Sequence, residues 1–87
     1  MNHHHRKTLH AIFAHPIAAN LAIADVEHVL ESLGAEIAGK TGARIGVTLN
    51  GRSAAFHRAG HSLPKEEVLQ LRKFLEACGV ALEDYPL

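Results

Sequence analysis

Hydrophobic positions along this chain change period twice, from helical spacing to strict alternation and back. Leu9, Ile12 and Phe13 fall at i, i+3 and i+4 and predict a short helix over residues 6–14, stopped by His15-Pro16. Residues 17–23 are apolar without a clear period and read as a connection packed on the core. Val26, Val29, Leu30 and Leu33 form an unbroken stripe that predicts a second helix over residues 25–33, with Asp25 in its first turn and Gly34 as its left-handed stop. The period then falls to two. Residues 36–39 read as a first strand, 44–49 as a second with Ile45, Val47 and Leu49 on one face, and 52–57 as a third. Pro64 suits the first turn of a last helix, whose buried side is Val68, Leu71, Leu75 and Cys78 and whose end is Gly79. Residues 81–87 read as a tail docked by Leu82, Tyr85 and Leu87.

Asn50-Gly51 carries the most specific local prediction, because both residues tolerate the positive φ of a type I′ hairpin turn. A two-residue turn there sets Leu49 opposite Arg52, Thr48 opposite Ser53, Val47 opposite Ala54, Gly46 opposite Ala55, Ile45 opposite Phe56 and Arg44 opposite His57. Side chains alternate between faces along a strand. Ile45, Val47, Ala54 and Phe56 therefore share an inner face, and Arg44, His57, Thr48, Ser53, Gly46 and Ala55 share an outer one.

The expected architecture is α+β: a short extra N-terminal helix followed by α-β-β-β-α, with helices on one face of a three-stranded antiparallel sheet and the other face open. Residues 1–23 form the N-terminal helix and connection, 24–80 the α-β-β-β-α unit and 81–87 the tail. A chain of 87 residues buries only about 60–65 % of its unfolded surface, so its core must be locally well specified. The lone Cys78 excludes an intrachain disulfide and fits a small core residue in a reducing compartment. No apolar run approaches the roughly 18 residues of a membrane span, and residues 1–7 lack the apolar stretch of a secretory signal. The expectation is a cytoplasmic protein with no membrane association.

Charge changes this picture locally. The chain is formally neutral, yet residues 37–65 carry Lys40, Arg44, Arg52, Arg58 and Lys65, with His57 and His61, and no Asp or Glu. Segregated cations suit a polyanion, and the most natural partner is a nucleic acid. Cleavage of RNA without a metal needs a base for the 2′-OH proton, an acid for the leaving oxygen and cations for the crowded negative charge. Histidine, with an unperturbed pKa near 6.5, can serve either proton role, whereas arginine can only stabilise or position. Proton transfer is assigned to His57 or His61, and charge stabilisation to Arg44 or Arg58. Arg52 sits on core-face parity at a sheet end, where its stem can snorkel. His57-x-x-x-His61 has the spacing of half a zinc site but no accompanying ligand cluster, so neither metal nor cofactor is expected.

From Asp25 to Val80 the chain resembles a HicA-type toxin, the small RNA-cleaving partner of bacterial toxin–antitoxin pairs, whose fold resembles a double-stranded-RNA-binding domain. The residues that carry the resemblance are Leu30-Glu31-Ser32-Leu33-Gly34-Ala35-Glu36, Gly42-Ala43-Arg44 before a strand, the Asn50-Gly51 hairpin, the basic loop to His61, and Leu75-Glu76-Ala77-Cys78-Gly79-Val80. The resemblance implies an mRNA interferase neutralised by a HicB-type antitoxin, and leaves homo-oligomerisation open. In that family the turn before the second strand usually supplies the His held responsible for cleavage. Arg44 occupies that position here, while His61 matches the family's second characteristic His. An arginine cannot transfer the proton, so either His57 has taken the role or the chain is a catalytically degenerate RNA-binding or protein-interaction module.

Overall fold

In the computed structural model, which describes residues 1–39 and 42–87, an Asn side chain rather than apolar spacing decides where the chain first turns helical. Asn2 accepts from the His5 backbone N–H at 2.8 Å and caps α1 (His3–Ile12). The helix thus starts and ends earlier than the 6–14 that hydrophobic spacing predicts. β1 (Asn20–Ala22) runs directly into α2 (Ile23–Ser32), and Gly34 closes that helix at φ 95. β2 (Glu36–Ala38), β3 (Arg44–Leu49) and β4 (Arg52–His57) follow, then β5 (Ser62–Pro64) and α3 (Lys65–Ala77). A 3₁₀ turn covers Leu82–Asp84.

The described residues form an α+β fold of three α-helices, a three-stranded antiparallel sheet ordered β2-β3-β4, and a separate two-stranded sheet of β1 and β5. The register of β3 and β4 is the one that Asn50-Gly51 dictates, from Leu49 opposite Arg52 to Arg44 opposite His57. Asn50 adopts φ 51 and Gly51 φ 79, as the turn requires. The two-stranded sheet was not expected. Residues 17–23, read as a connection, contain β1, which pairs Leu21 with Leu63. Pro64 ends β5 and sits at the N-cap of α3, one residue before the helix rather than in its first turn.

One buried cluster unites these elements. Ile45, Val47 and Phe56 from the inner sheet face are at most 2 % exposed and pack with Val26, Val29 and Leu30 of α2 and Val68, Leu71 and Leu75 of α3. α1, expected as an accessory element, contributes Leu9 and Ile12 to the same cluster at 0 % exposure. Arg72 of α3 explains how it is held. Its side chain is buried, donating from Nε to the Ile12 carbonyl at 3.2 Å and from Nη2 to the Ala14 carbonyl at 2.8 Å. The Ile12 carbonyl belongs to the last turn of α1, which leaves it unpaired and carries the helix's partial negative charge, and the Ala14 carbonyl lies two residues beyond the helix. The tail docks by Leu82 and Tyr85, and His10 Nε2 donates to the Tyr85 carbonyl at 2.8 Å. Leu87, expected to dock with them, is exposed. Among the described residues, no helix is long and apolar enough to cross a membrane.

The hairpin is tied at its turn to the far end of α3. Asn50 Nδ2 donates to the Cys78 carbonyl at 2.7 Å, and the Cys78 thiol donates to the Leu49 carbonyl at 3.4 Å. Cys78 is thus a small core residue; burial pushes its thiol above the ordinary 9.0, opposed in part by the Arg52 cation. Asn50→Ala removes both the helix-end hydrogen bond and a residue suited to φ 51. We expect it to lower unfolding free energy by about 2 kcal/mol in urea titration. Asn50→Gly keeps the turn and should lose about half as much.

Candidate nucleic-acid interface

The outer face of the three-stranded sheet is open. Arg44, Thr48, Ser53, Ala55 and His57 are all exposed there, with Glu36 and Ala38 continuing the face onto β2. Strand chemistry produces this directly: the alternation that buries Ile45, Val47 and Phe56 turns their neighbours outward.

Arg44 and His57 lie directly opposite each other. The Arg58 N–H donates to the Ala43 carbonyl at 3.0 Å, which makes the next pair along, Arg44 and His57, a non-hydrogen-bonded pair. Side chains approach more closely at such pairs, with Cα atoms about 4.5 Å apart. The His57 N–H consequently points away from β3, off the free edge of β4, where Glu67 Oε1 accepts it at 2.6 Å. The same carboxylate oxygen lies 3.7 Å from His57 Nδ1, within ion-pair range of a protonated ring. Two features thus fix His57: its cross-strand neighbour and a carboxylate from the first turn of α3.

His61 is placed by a tight reversal. Ala59 and Ser62 exchange backbone hydrogen bonds at 2.8 and 3.1 Å, with Gly60 at φ 61 between them, so His61 stands exposed in a two-residue turn. The His61 carbonyl accepts from the Ile23 N–H at 2.8 Å, which anchors the turn to the start of α2. β1 and β5 are therefore the elements that hold the basic loop in place.

The expected cationic set divides. Arg58, half-buried, directly follows the Arg44–His57 pair, and Lys65, exposed, opens α3 after β5. Arg52 stands at the opposite end of β4, five residues or about 17 Å from His57, on the parity of the inner face and near Cys78. Lys40 lies outside the described residues. The acid-free character of residues 37–65 does not survive folding intact. Glu67 comes in from α3 beside His57, and Glu36 borders the same face opposite Thr48. Sequence reasoning missed both, because one reaches His57 from ten positions along the chain and the other lies one residue before the run. Among the described residues, no group of three His, Cys, Asp or Glu side chains is placed to hold a metal ion.

Between the two charged ends the outer face is hollowed. A shallow open trough of about 430 Å³ crosses the three strands, floored by Ala38, Gly46 and Ala55 and bordered by Glu36, Thr48 and Ser53. Thr48 and Ser53 are cross-strand partners whose hydroxyls are hydrogen-bonded at 3.0 Å. In comparisons with protein-family models, curated proteins and solved structures, the chain matches none.

Proposed function

We propose that this protein is a HicA-like toxin with a double-stranded-RNA-binding-domain-like fold, which binds RNA on its outer sheet face, cleaves it there, and is neutralised by a HicB-type antitoxin. The observation that carries the reading is the opposition of Arg44 and His57 on an exposed face, with His61 held in a tight turn just beyond the same strand. A permanent cation beside an imidazole is a minimal pair for phosphodiester chemistry: the arginine draws in and neutralises the phosphate while the imidazole moves the proton. One histidine takes the proton from a ribose 2′-OH, whose oxygen attacks the adjacent phosphorus. The P–O5′ bond breaks, and the departing oxygen takes a proton from the acid, leaving a 2′,3′-cyclic phosphate and a 5′-hydroxyl. His57 and His61 are the two candidates for these roles. Arg44 and Arg58 stabilise the added charge on the phosphoryl oxygens.

A second reading has its own support. Arg44 stands where the HicA pattern has its cleaving His, which favours an RNA-binding module of the same fold that has lost cleavage. Incubating RNA with wild type, His57→Ala and His61→Ala separates the two. The enzyme reading expects wild type to generate new 5′-hydroxyl ends and at least one variant to stop doing so. Intact RNA that still shifts in mobility with wild type would leave the binding module as the function.

A further inference from the structure

Gly46 has no structural reason to be glycine. It lies in the middle of β3, its φ is not positive, and a Cβ built on it would meet nothing within 4 Å. Glycine in a strand interior costs stability, and where neither a bulge nor a bend calls for it, it marks a place that a ligand or another backbone approaches closely. The space a side chain would occupy here is the floor of the trough.

The surroundings define what would fit. Just beyond one end of the trough, one outer-face pair past Gly46 and Ala55, stand Arg44 and His57. At the other, two residue pairs along β3 from Arg44, lie Thr48, Ser53 and the Glu36 carboxylate, about 13 Å away along the strand. A ligand anionic at one end, flat in the middle and rich in N–H donors at the other would complement all three parts. Resting on the RNA-binding reading above, we propose that the trough is a nucleobase subsite that selects an unpaired guanine, with its phosphate toward Arg44 and its Watson–Crick edge toward Glu36. Guanine is the one common base that presents two adjacent N–H donors, N1–H and the 2-amino group, on that edge, and a carboxylate accepts both. Adenine and cytosine present a ring nitrogen acceptor beside their amino group and would set a lone pair against the carboxylate. Uracil presents one N–H between two carbonyls. Glu36 thus acts against the wrong bases as well as for the right one. A base paired in a duplex has this edge occupied, so the subsite also selects single-stranded RNA.

The test is fluorescence anisotropy of the full-length chain with labelled RNA hexamers that differ at one central base, G, inosine, A, C or U, and with a duplex control. Wild type is expected to bind the G hexamer about tenfold more tightly than the A, C and U hexamers, the selectivity of one bidentate contact. Inosine, lacking the 2-amino group, should fall between. Glu36→Gln should erase the preference without weakening the A and U complexes. Gly46→Val should fill the trough and bring all hexamers to one affinity, and its unchanged circular dichroism would show that the fold tolerates it. RNA binding with no base preference, a preference that survives both variants, or equal affinity for duplex would overturn the guanine subsite and leave RNA binding standing. No binding to any RNA would overturn both.

Discussion

Replacing Arg72 by methionine should destabilise the protein by about 3 kcal/mol, a large share of the 5–15 kcal/mol available to a small domain. Arg72 is 8 % exposed, and its guanidinium is met by backbone carbonyls of Ile12 and Ala14 rather than by a carboxylate. Ile12 ends α1 and Ala14 lies two residues beyond it, and there a buried cation satisfies two acceptors and opposes the partial negative charge of the helix terminus. Methionine keeps much of the packing volume and removes the donors. The loss should show in urea titration as a lower midpoint. It should be steepest locally, with amide exchange in α1 accelerating more than exchange in β3 and β4. Arg72→Lys restores one charge without the guanidinium geometry and should recover only part of the loss. Equal acceleration throughout the chain would mean that Arg72 does not specifically hold α1.

Removing the His57 imidazole should reduce RNA cleavage by about 10²–10⁴-fold, the ordinary contribution of a positioned proton-transfer group. His57→Ala should leave RNA affinity within a few fold, because the proposal assigns the phosphates to the permanent cations. Arg44→Ala should behave differently: the charge it removes is proposed to act in binding and in the transition state, so affinity and cleavage should fall together. This division separates proton transfer from attraction on the same exposed pair. Loss of binding on His57→Ala with retained circular dichroism would assign the imidazole to contact rather than to chemistry. If His61→Ala alone abolishes cleavage, the proton role belongs to the turn after β4.

The hairpin and its register were legible because Asn50-Gly51 permits one kind of turn, and a two-residue turn leaves no freedom in which residues face each other. Everything argued for Arg44 and His57 descends from that dipeptide. β1 and β5 were not legible, since three-residue strands are too short for alternation to register and their partnership joins positions forty or more residues apart. The start of α1 was hidden for a similar reason: its first turn is His3-His4-His5, polar residues that carry no apolar period, and the deciding interaction is the Asn2 cap. Arg72 falls four residues after Val68, on the buried stripe, but a charged residue there reads as solvent-facing until the acceptors at the end of α1 are known. In the sequence Glu67 is a carboxylate three residues after Pro64, suited to the positive end of a helix and to nothing more. Its contact with the His57 N–H depends on β4 being an edge strand whose outward N–H needs an acceptor.

The central claim is that the outer sheet face holds RNA by its phosphates at the Arg44 end, and the salt dependence of RNA affinity tests it most directly. Three phosphate contacts, by Arg44, Arg58 and Lys65, would give a slope of about −2 in a plot of log affinity against log salt for a single strand, or roughly a twentyfold loss between 50 and 200 mM. Arg44→Ala should bind more weakly and flatten that slope by about 0.7. An affinity indifferent to salt, or a slope that Arg44→Ala leaves unchanged, would contradict the claim.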